Sequence, residues 1–297
     1  MTSGGDAPGM NAAIRAVARV ALHCGLEVYG VRRGYAGLVA DQVEALDARS
    51  VGGIMQRGGT VLGTAREMAM KTADGPPRAL DTLRRHSIEG LVVIGGDGSL
   101  RGALALHRLG FPTVGVPASI DNDIYGTDLS IGVDTALNIA LEAIDRIKET
   151  ASSHNRAFLI QVMGRHSGYL ALMSGLAGGA EMVLIPEVEV SPTQVIQELR
   201  QAAALAQYIA HSADGVGFET RLTVLGHVLR GGAPTTYDRL LASRLGAEAV
   251  AQLAGGASGI MVGLVKGQEV ATDLETVTQQ MRTIDPEVYQ LAEVLAL

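Results

Sequence analysis

The chain has 297 residues, of which 47% are hydrophobic and only 3% aromatic, and its formal net charge is -7. That length can bury a large core and suits two domains, while the acidic balance argues against nucleic acid as the main partner. Cys24 is the only cysteine, which excludes an internal disulfide or a cysteine zinc site and makes an intracellular protein the default. There is no signal peptide and no uncharged apolar run long enough to cross a bilayer, so a soluble, cytoplasmic protein is expected. Any phosphate-bearing ligand must be held by local arginine clusters rather than by the overall field.

Ser3-Gly4-Gly5-Asp6-Ala7-Pro8-Gly9 reads as a turn with no strand in front of it. Asn11 is expected to cap a helix from about Ala12 to His23, apolar through Ile14, Val17, Ala18 and Ala21. Glu27 to Val31 reads as a strand that ends at Gly34-Tyr35-Ala36-Gly37. Gly58-Gly59-Thr60 and Gly63 mark a glycine-rich loop, and Pro76 and Pro77 open a helix. Leu91 to Ile94 is an all-apolar strand, followed by Gly95-Gly96-Asp97-Gly98-Ser99 and a helix through Ala103, Leu106 and Leu109. Thr113 to Val116 is the next buried strand, ended by Pro117 and followed by an open loop from Ser119 to Asp128. Asp134 starts a long amphipathic helix to about Thr150.

The alternation continues. Ala157 to Val162 is a strand ending at Met163-Gly164-Arg165, and a Gly- and Ala-rich helix follows. Met182 to Ile185 is read as a strand stopped by Pro186. A helix runs from Ser191-Pro192 to about Ala210 and is broken at Gly215 to Gly217. Leu222 to Leu225 leads to Gly226-His227 and the Arg230-Gly231-Gly232 loop. Tyr237 to Leu253 is a helix, Ile260 to Leu264 a late strand, and the chain ends in helix. Strands alternating with helices in this way predict an α/β fold of two doubly wound, mostly parallel-sheet domains.

Two loops carry the chemistry. Strand, Gly-Gly-Asp-Gly-Ser, then helix lets backbone N–H groups and a helix N-terminus receive a phosphate. Asp97 is poorly placed to touch phosphate itself but well placed to hold Mg²⁺ that bridges phosphates. The plainer reading makes Asp97 a helix cap. In the second loop, Asp121 and Asp123 lie two residues apart beyond a parallel strand, where ligands of open α/β sheets bind. The plainer reading there is an Asx turn. Arg156, Arg165, Arg221 and Arg230, with His227, flank strands in the second half, and Arg forks suit phosphate oxygens. Neither G-x-x-x-x-G-K-[ST] nor a G-x-G-x-x-G after a strand occurs, which disfavours a P-loop enzyme and a dinucleotide-binding dehydrogenase.

Ser3 to Asn11, Gly95 to Ser99, Pro117 to Asp123, Met163-Gly164-Arg165-His166, and Leu225-Gly226-His227 with Arg230-Gly231-Gly232 occur in the order found in bacterial-type ATP-dependent 6-phosphofructokinases. The chain resembles that family over nearly its whole length. The resemblance implies transfer of the γ-phosphoryl of ATP to the 1-hydroxyl of fructose 6-phosphate, with Mg²⁺ as cofactor. Asp121 matches the base and Arg165 a group that steadies the transferring phosphoryl. Asp97 and Asp123 match the metal ligands. Gly5, Tyr35, Arg66, Glu67, Gly96, Asp97, Gly98 and Ser99 match the nucleotide site. Ser119, Ile120, Asp121, Met163, Gly164, Arg165 and His227 match sugar-phosphate contacts, and Arg156, Arg221 and Arg230 phosphate-binding arginines.

The resemblance further implies a homotetramer with active sites shared between subunits, in which Arg156 and Arg221 reach a neighbour. Arg15, Arg19 and Glu181 fall where effector contacts are expected. The implied domains are 1–132 plus about 231–280 for ATP and 133–230 plus about 281–297 for fructose 6-phosphate. Gly98 leaves space for the α-phosphate of ATP, where an Asp would accompany use of pyrophosphate, so ATP is the expected donor and pyrophosphate the alternative. The sequence departs from the family in two places: a strand before Thr2, and a strand between about Leu205 and Gly217 that ends in a sugar-binding glutamate. Residues omitted from this sequence are expected at both places, with true deletions as the alternative. A catalytically inactive, nucleotide-binding regulatory subunit is the rival reading.

Overall fold

The computed structural model describes residues 1–65, 70, 72–154, 157–189 and 220–296. The expected helix from Ser191 to about Ala210, the break at Gly215 to Gly217 and the expected loss of a strand after Leu205 lie outside the described residues, as do Arg66, Glu67 and Arg156. The chain divides into two compact units, Met1–Thr135 with Arg230–Arg282 and Ala136–Leu229 with Thr283–Leu297.

The first unit is built on a five-stranded sheet. Its strands are β1 (Thr2–Ser3), β4 (Leu91–Gly95), β5 (Thr113–Pro117), β8 (Ile260–Val265) and β9 (Gln268–Asp273), neighbours in that order. The first four run parallel and β9 is antiparallel to β8. Every residue of β4 and β5 is buried, as expected for a parallel sheet covered by helices. Each fully buried Val, Leu or Ile of these strands stabilises by about 1.5–3 kcal/mol.

One expectation fails here, and one strand was not expected. Thr2 and Ser3 are not a bare turn: they pair with Ile94 and Gly95, because the open edge of β4 supplies partners for their backbone groups. The chain ends in helix as expected, but an unexpected strand, β9, comes first. Lys266 and Gly267, at φ 51 and 81, form the two-residue turn that folds β9 back on β8, a conformation suited to hairpins. The strand β9 is mostly exposed, so it lacks the apolar run that marks a core strand.

Helices cover the sheet. They are α1 (Met10–His23), α2 (Gly34–Val39), α3 (Gly75–Arg85), α4 (Asp97–Arg108), α7 (Thr236–Ala254) and α8 (Leu274–Gln279). Helix α1 is buried through Ala12, Ala13, Ala16 and Ala18, and a Cβ on Gly246 would lie 2.8 Å from that of Ala16, so small residues let α1 and α7 pack closely. A hairpin of β2 (Val28–Val31) and β3 (Val43–Leu46) lies outside the main sheet.

Asn11 does not cap α1. Gly9 does, at φ 101, while Asn11 sits inside the helix at 1% exposure. Its amide donates to Arg57 O and Gly58 O and its oxygen accepts Val61 N at 2.7 Å. The Gly34 to Gly37 turn is helix α2.

The first unit ends at the start of α5 (Val133–His154). There, fully buried Asp238 accepts the N–H groups of Gly132 and Thr135, each at 2.8 Å, and the Thr135 hydroxyl at 2.6 Å. Burial pushes the Asp238 carboxyl above its usual range, although these donors oppose the shift.

In the second unit, β6 (Ala157–Gln161) and β7 (Thr220–Val224) pair in parallel, and α6 (Tyr169–Ala177) and α9 (Pro286–Leu295) accompany the body of α5. Residues 182–185 are not the expected strand. Ile185 instead joins Leu172 and Ala292 in an apolar cluster, so that run is used for packing.

Candidate active site

The strand order places three loops side by side at the carboxyl ends of β1, β4 and β5: Gly4 to Asp6, Gly96 to Ser99 and Ala118 to Asp123. This is where open α/β sheets bind ligands. Gly96 enters α4 in an extended conformation, and the N–H groups of Ser99 and Leu100 turn back to Gly96 O. One close approach and one open space explain two of the glycines. A Cβ on Gly95 would lie 2.5 Å from Ser3 O, whereas one on Gly98 would meet nothing within 4 Å. The first glycine lets two strands pack; the second leaves open space above the helix N-terminus, a ready phosphate site.

Asp97 opens α4, and both its oxygens accept from Arg101 Nε, at 3.1 and 2.9 Å. Ser119 Oγ donates to Asp123 Oδ1 at 3.2 Å and accepts Asp121 N at 3.3 Å. Asn122, at φ 49, receives Ser130 N on Oδ1 and donates from Nδ2 to Asp128 O. The turn is thus held by Ser119 and Asn122, with Asp123 Oδ1 taking part through Ser119. No group of three His, Cys, Asp or Glu side chains that could hold a metal occurs among the described residues. Mg²⁺ commonly takes one or two carboxylates together with substrate phosphates, and the hard oxygens of Asp97 and Asp123, borne by neighbouring loops, suit that mode.

Two expected ligand residues are placed otherwise. Tyr35 is 3% exposed, its hydroxyl donating to Ser99 O at 2.7 Å, and a Cβ on Gly102 would strike its ring. Burial raises its pKa well above the usual value. It shores up the Gly96 to Ser99 loop and offers no open face to a nucleotide. The Ile120 side chain is fully buried, leaving only its backbone for a ligand. Arg230 NH1 donates to Asp6 O at 2.9 Å, so its guanidinium lies against the first loop. A second glycine-rich loop reaches the same place: Thr64 Oγ1 donates to Gly4 O at 2.6 Å and Thr2 Oγ1 to Gly63 O at 3.0 Å.

In the second unit, the C-terminal ends of β6 and β7 adjoin, with Gln161 opposite Val224 and Leu225 N donating to Gln161 O. The loops that follow carry Met163, Gly164 and exposed Arg165 on one strand and exposed His227 on the other. Gly164 has φ 127, and a Cβ there would lie 2.2 Å from Ser167 O. Arg221 lies within β7, opposite Phe158. It is three residues, about 10 Å, short of that strand end, so its own unit does not bring it to the same cluster. Asn11 in α1, Arg101 in α4 and Asn122 in the loop after β5 support the first unit's loops and were not singled out as site residues; only the position of Asn122 between two aspartates hinted at its part.

The phosphofructokinase family model matches residues 1–253. The chain belongs to the phosphofructokinase family. ATP-dependent 6-phosphofructokinase 1 of Thermus thermophilus is 51% identical over 315 aligned positions, covering all of this chain and 98% of that protein. The ATP-dependent 6-phosphofructokinase of Halalkalibacterium halodurans is 50% identical over 313 positions, with the same coverage. Among solved structures, Pichia pastoris phosphofructokinase in the T-state matches with a TM-score of 0.87 and 34% identity; the match covers all of this chain and 37% of that one. A pyrophosphate-dependent phosphofructokinase from Marinobacter aquaeolei, at 23% identity and TM-score 0.81, covers 96% of this chain and 84% of that one and shares the fold. This phosphofructokinase-family chain is therefore a phosphotransfer enzyme. No helix among the described residues is long and apolar enough to cross a membrane.

Proposed function

We infer that this chain is an ATP-dependent 6-phosphofructokinase of glycolysis, converting fructose 6-phosphate and ATP to fructose 1,6-bisphosphate and ADP. The observation that carries this reading is about 50% identity, over the whole chain, to proteins of that name. The three loops at the sheet's carboxyl end support it in chemical terms.

The first unit is assigned to ATP and the second to fructose 6-phosphate. Gly96 to Ser99 and the N-terminus of α4 receive the nucleotide's phosphates, with Gly5 and, on resemblance alone, Arg66 and Glu67 beside them. Asp121 accepts the proton of the sugar 1-hydroxyl as that oxygen attacks the γ-phosphorus. Asp97 and Asp123 would hold Mg²⁺, which when bound neutralises charge on the β- and γ-phosphates. Arg101, the partner of Asp97, keeps that carboxylate from repelling ATP before the metal binds. On resemblance alone, Met163, Gly164, Arg165 and His227 of the second unit are assigned to the sugar phosphate, and Ser119 and the Ile120 backbone are likewise assigned on resemblance. Arg165 steadies charge on the transferring group. Arg230, anchored on Asp6, keeps its remaining donors for phosphate. Arg156 and Arg221 serve a neighbouring subunit of a homotetramer, which agrees with Arg221 standing away from its own unit's loops. A chain with one thiol suits the cytoplasm.

Gly98 favours ATP over pyrophosphate, since nothing within 4 Å of its Cβ position fills the space that an α-phosphate needs. A coupled assay of the purified chain tests the whole reading. Fructose 1,6-bisphosphate should form with MgATP and not when pyrophosphate replaces ATP. Equal or faster turnover with pyrophosphate would overturn the donor, and nucleotide binding with no turnover would favour a regulatory subunit.

A further inference from the structure

We propose that Asn122 is a positioning residue for phosphoryl transfer, fixing the loop that presents Asp121 and Asp123. The inference rests on the reading of Asp121 as the proton acceptor. Asn122 lies between the two carboxylates but is itself 2% exposed, and its φ of 49 falls in the left-handed region that Asn tolerates better than most residues. Both ends of its carboxamide are engaged: Oδ1 accepts Ser130 N at 3.0 Å and Nδ2 donates to Asp128 O at 3.2 Å. One side chain thereby ties the outgoing arm of the loop to its returning arm.

The returning arm is anchored in turn. Asp128 N donates to Leu264 O at 2.8 Å, Asp128 Oδ2 accepts Lys266 N at 2.6 Å, and Thr127 Oγ1 accepts Leu264 N at 3.1 Å. On the far side of the pair, Asp123 O accepts Arg282 N at 3.1 Å. Residue 122 is therefore the link through which the rigid end of β8 holds the backbone between the two aspartates. The position suits Asn in particular. A leucine would leave Ser130 N unpaired and take from Asp128 O one of its two donors, the other being Arg282 NH1, and an aspartate would set a carboxylate oxygen against the Asp128 carbonyl. Glycine would keep the φ but release the brace. Misplacing a reacting group by about 1 Å can cost on the order of 100-fold in rate.

A mutant cycle of Asn122→Gly with Asp121→Asn tests this, reading kcat for fructose 1,6-bisphosphate formation, KM for both substrates and the thermal midpoint. Asn122→Gly should lower kcat roughly tenfold while each KM moves less than about twofold. In the Asp121→Asn background the same change should cost clearly less, because one of the two groups it positions is gone. A loss of equal factor in both backgrounds would mark a merely structural role and overturn the inference, as would unchanged kcat in the otherwise native chain. Normal turnover by Asp121→Asn alone would overturn the assignment of Asp121 and the inference with it. If the glycine variant does not fold, the near-isosteric Asn122→Asp, which replaces the Nδ2 donor with a carboxylate oxygen, runs through the same cycle with the same outcomes.

Discussion

Arg230 and Asp6 are joined by one hydrogen bond, NH1 to the backbone carbonyl at 2.9 Å. The guanidinium lies so close to Gly5 that a Cβ there would sit 2.7 Å from NH1. An arginine suited to phosphate is thus braced against the loop that follows β1, and the missing side chain at residue 5 makes room for it.

Gly5→Ala should push Arg230 off Asp6 without unfolding the chain, because Gly5 is exposed and lies outside the left-handed region. A hydrogen bond from a charged donor is worth about 1.5–3 kcal/mol, so kcat/KM should fall on the order of 10–100-fold. Steady-state kinetics beside a thermal melt checks this: the midpoint should hold while kcat/KM drops. Unchanged kcat/KM would show that the Arg230 contact is dispensable.

Asn11→Ala should strike the second glycine-rich loop. It removes the acceptor of Val61 N and the donor to Arg57 O and Gly58 O at a site only 1% exposed. Leaving such groups unpaired costs about 2–3 kcal/mol. Urea unfolding should report that loss, and KM for ATP should rise, since the same loop reaches Gly4 through Thr64.

What could be read from the sequence was whatever carried a local pattern. Leu91 to Ile94 and Thr113 to Val116 announce themselves as buried strands, and Gly95 to Ser99 and Asp121 to Asp123 sit where such strands release the chain. Asn11 misled because its partners, Arg57 to Val61, lie 46 to 50 residues away, and an Asn near a helix start looks like a cap. The burial of Tyr35 under α4 could not be read, because it depends on Gly102, a contact without local signal. Thr2 and Ser3 join the sheet only because β4 offers an edge. Asp238 was invisible for the same reason, its donors being more than 100 residues away.

Asp238 predicts a pH effect on stability. Burial raises its folded-state pKa above the unfolded value of about 3.9. The folded chain therefore holds the proton to higher pH than the unfolded chain, so this group's contribution is full below about pH 3.9 and is lost as pH rises through the folded value. Urea unfolding of the native chain and of Asp238→Asn at several pH values should show the native chain losing stability relative to the variant across that window. A difference that does not change with pH would contradict the shift. Asp238→Ala, which strands two N–H groups and a hydroxyl at full burial, should cost about 3 kcal/mol or more.

The rate of fructose 1,6-bisphosphate formation by Asp121→Asn, measured against the native chain at saturating MgATP and fructose 6-phosphate, bears most directly on the chemistry. The substitution keeps the shape of the side chain and removes the proton acceptor. A positioned base contributes about 10²–10⁴-fold, so kcat should fall by that factor while KM for ATP stays within about twofold of the native value. Turnover near the native rate would show that Asp121 is not the base and that the loop after β5 does not carry the proton transfer.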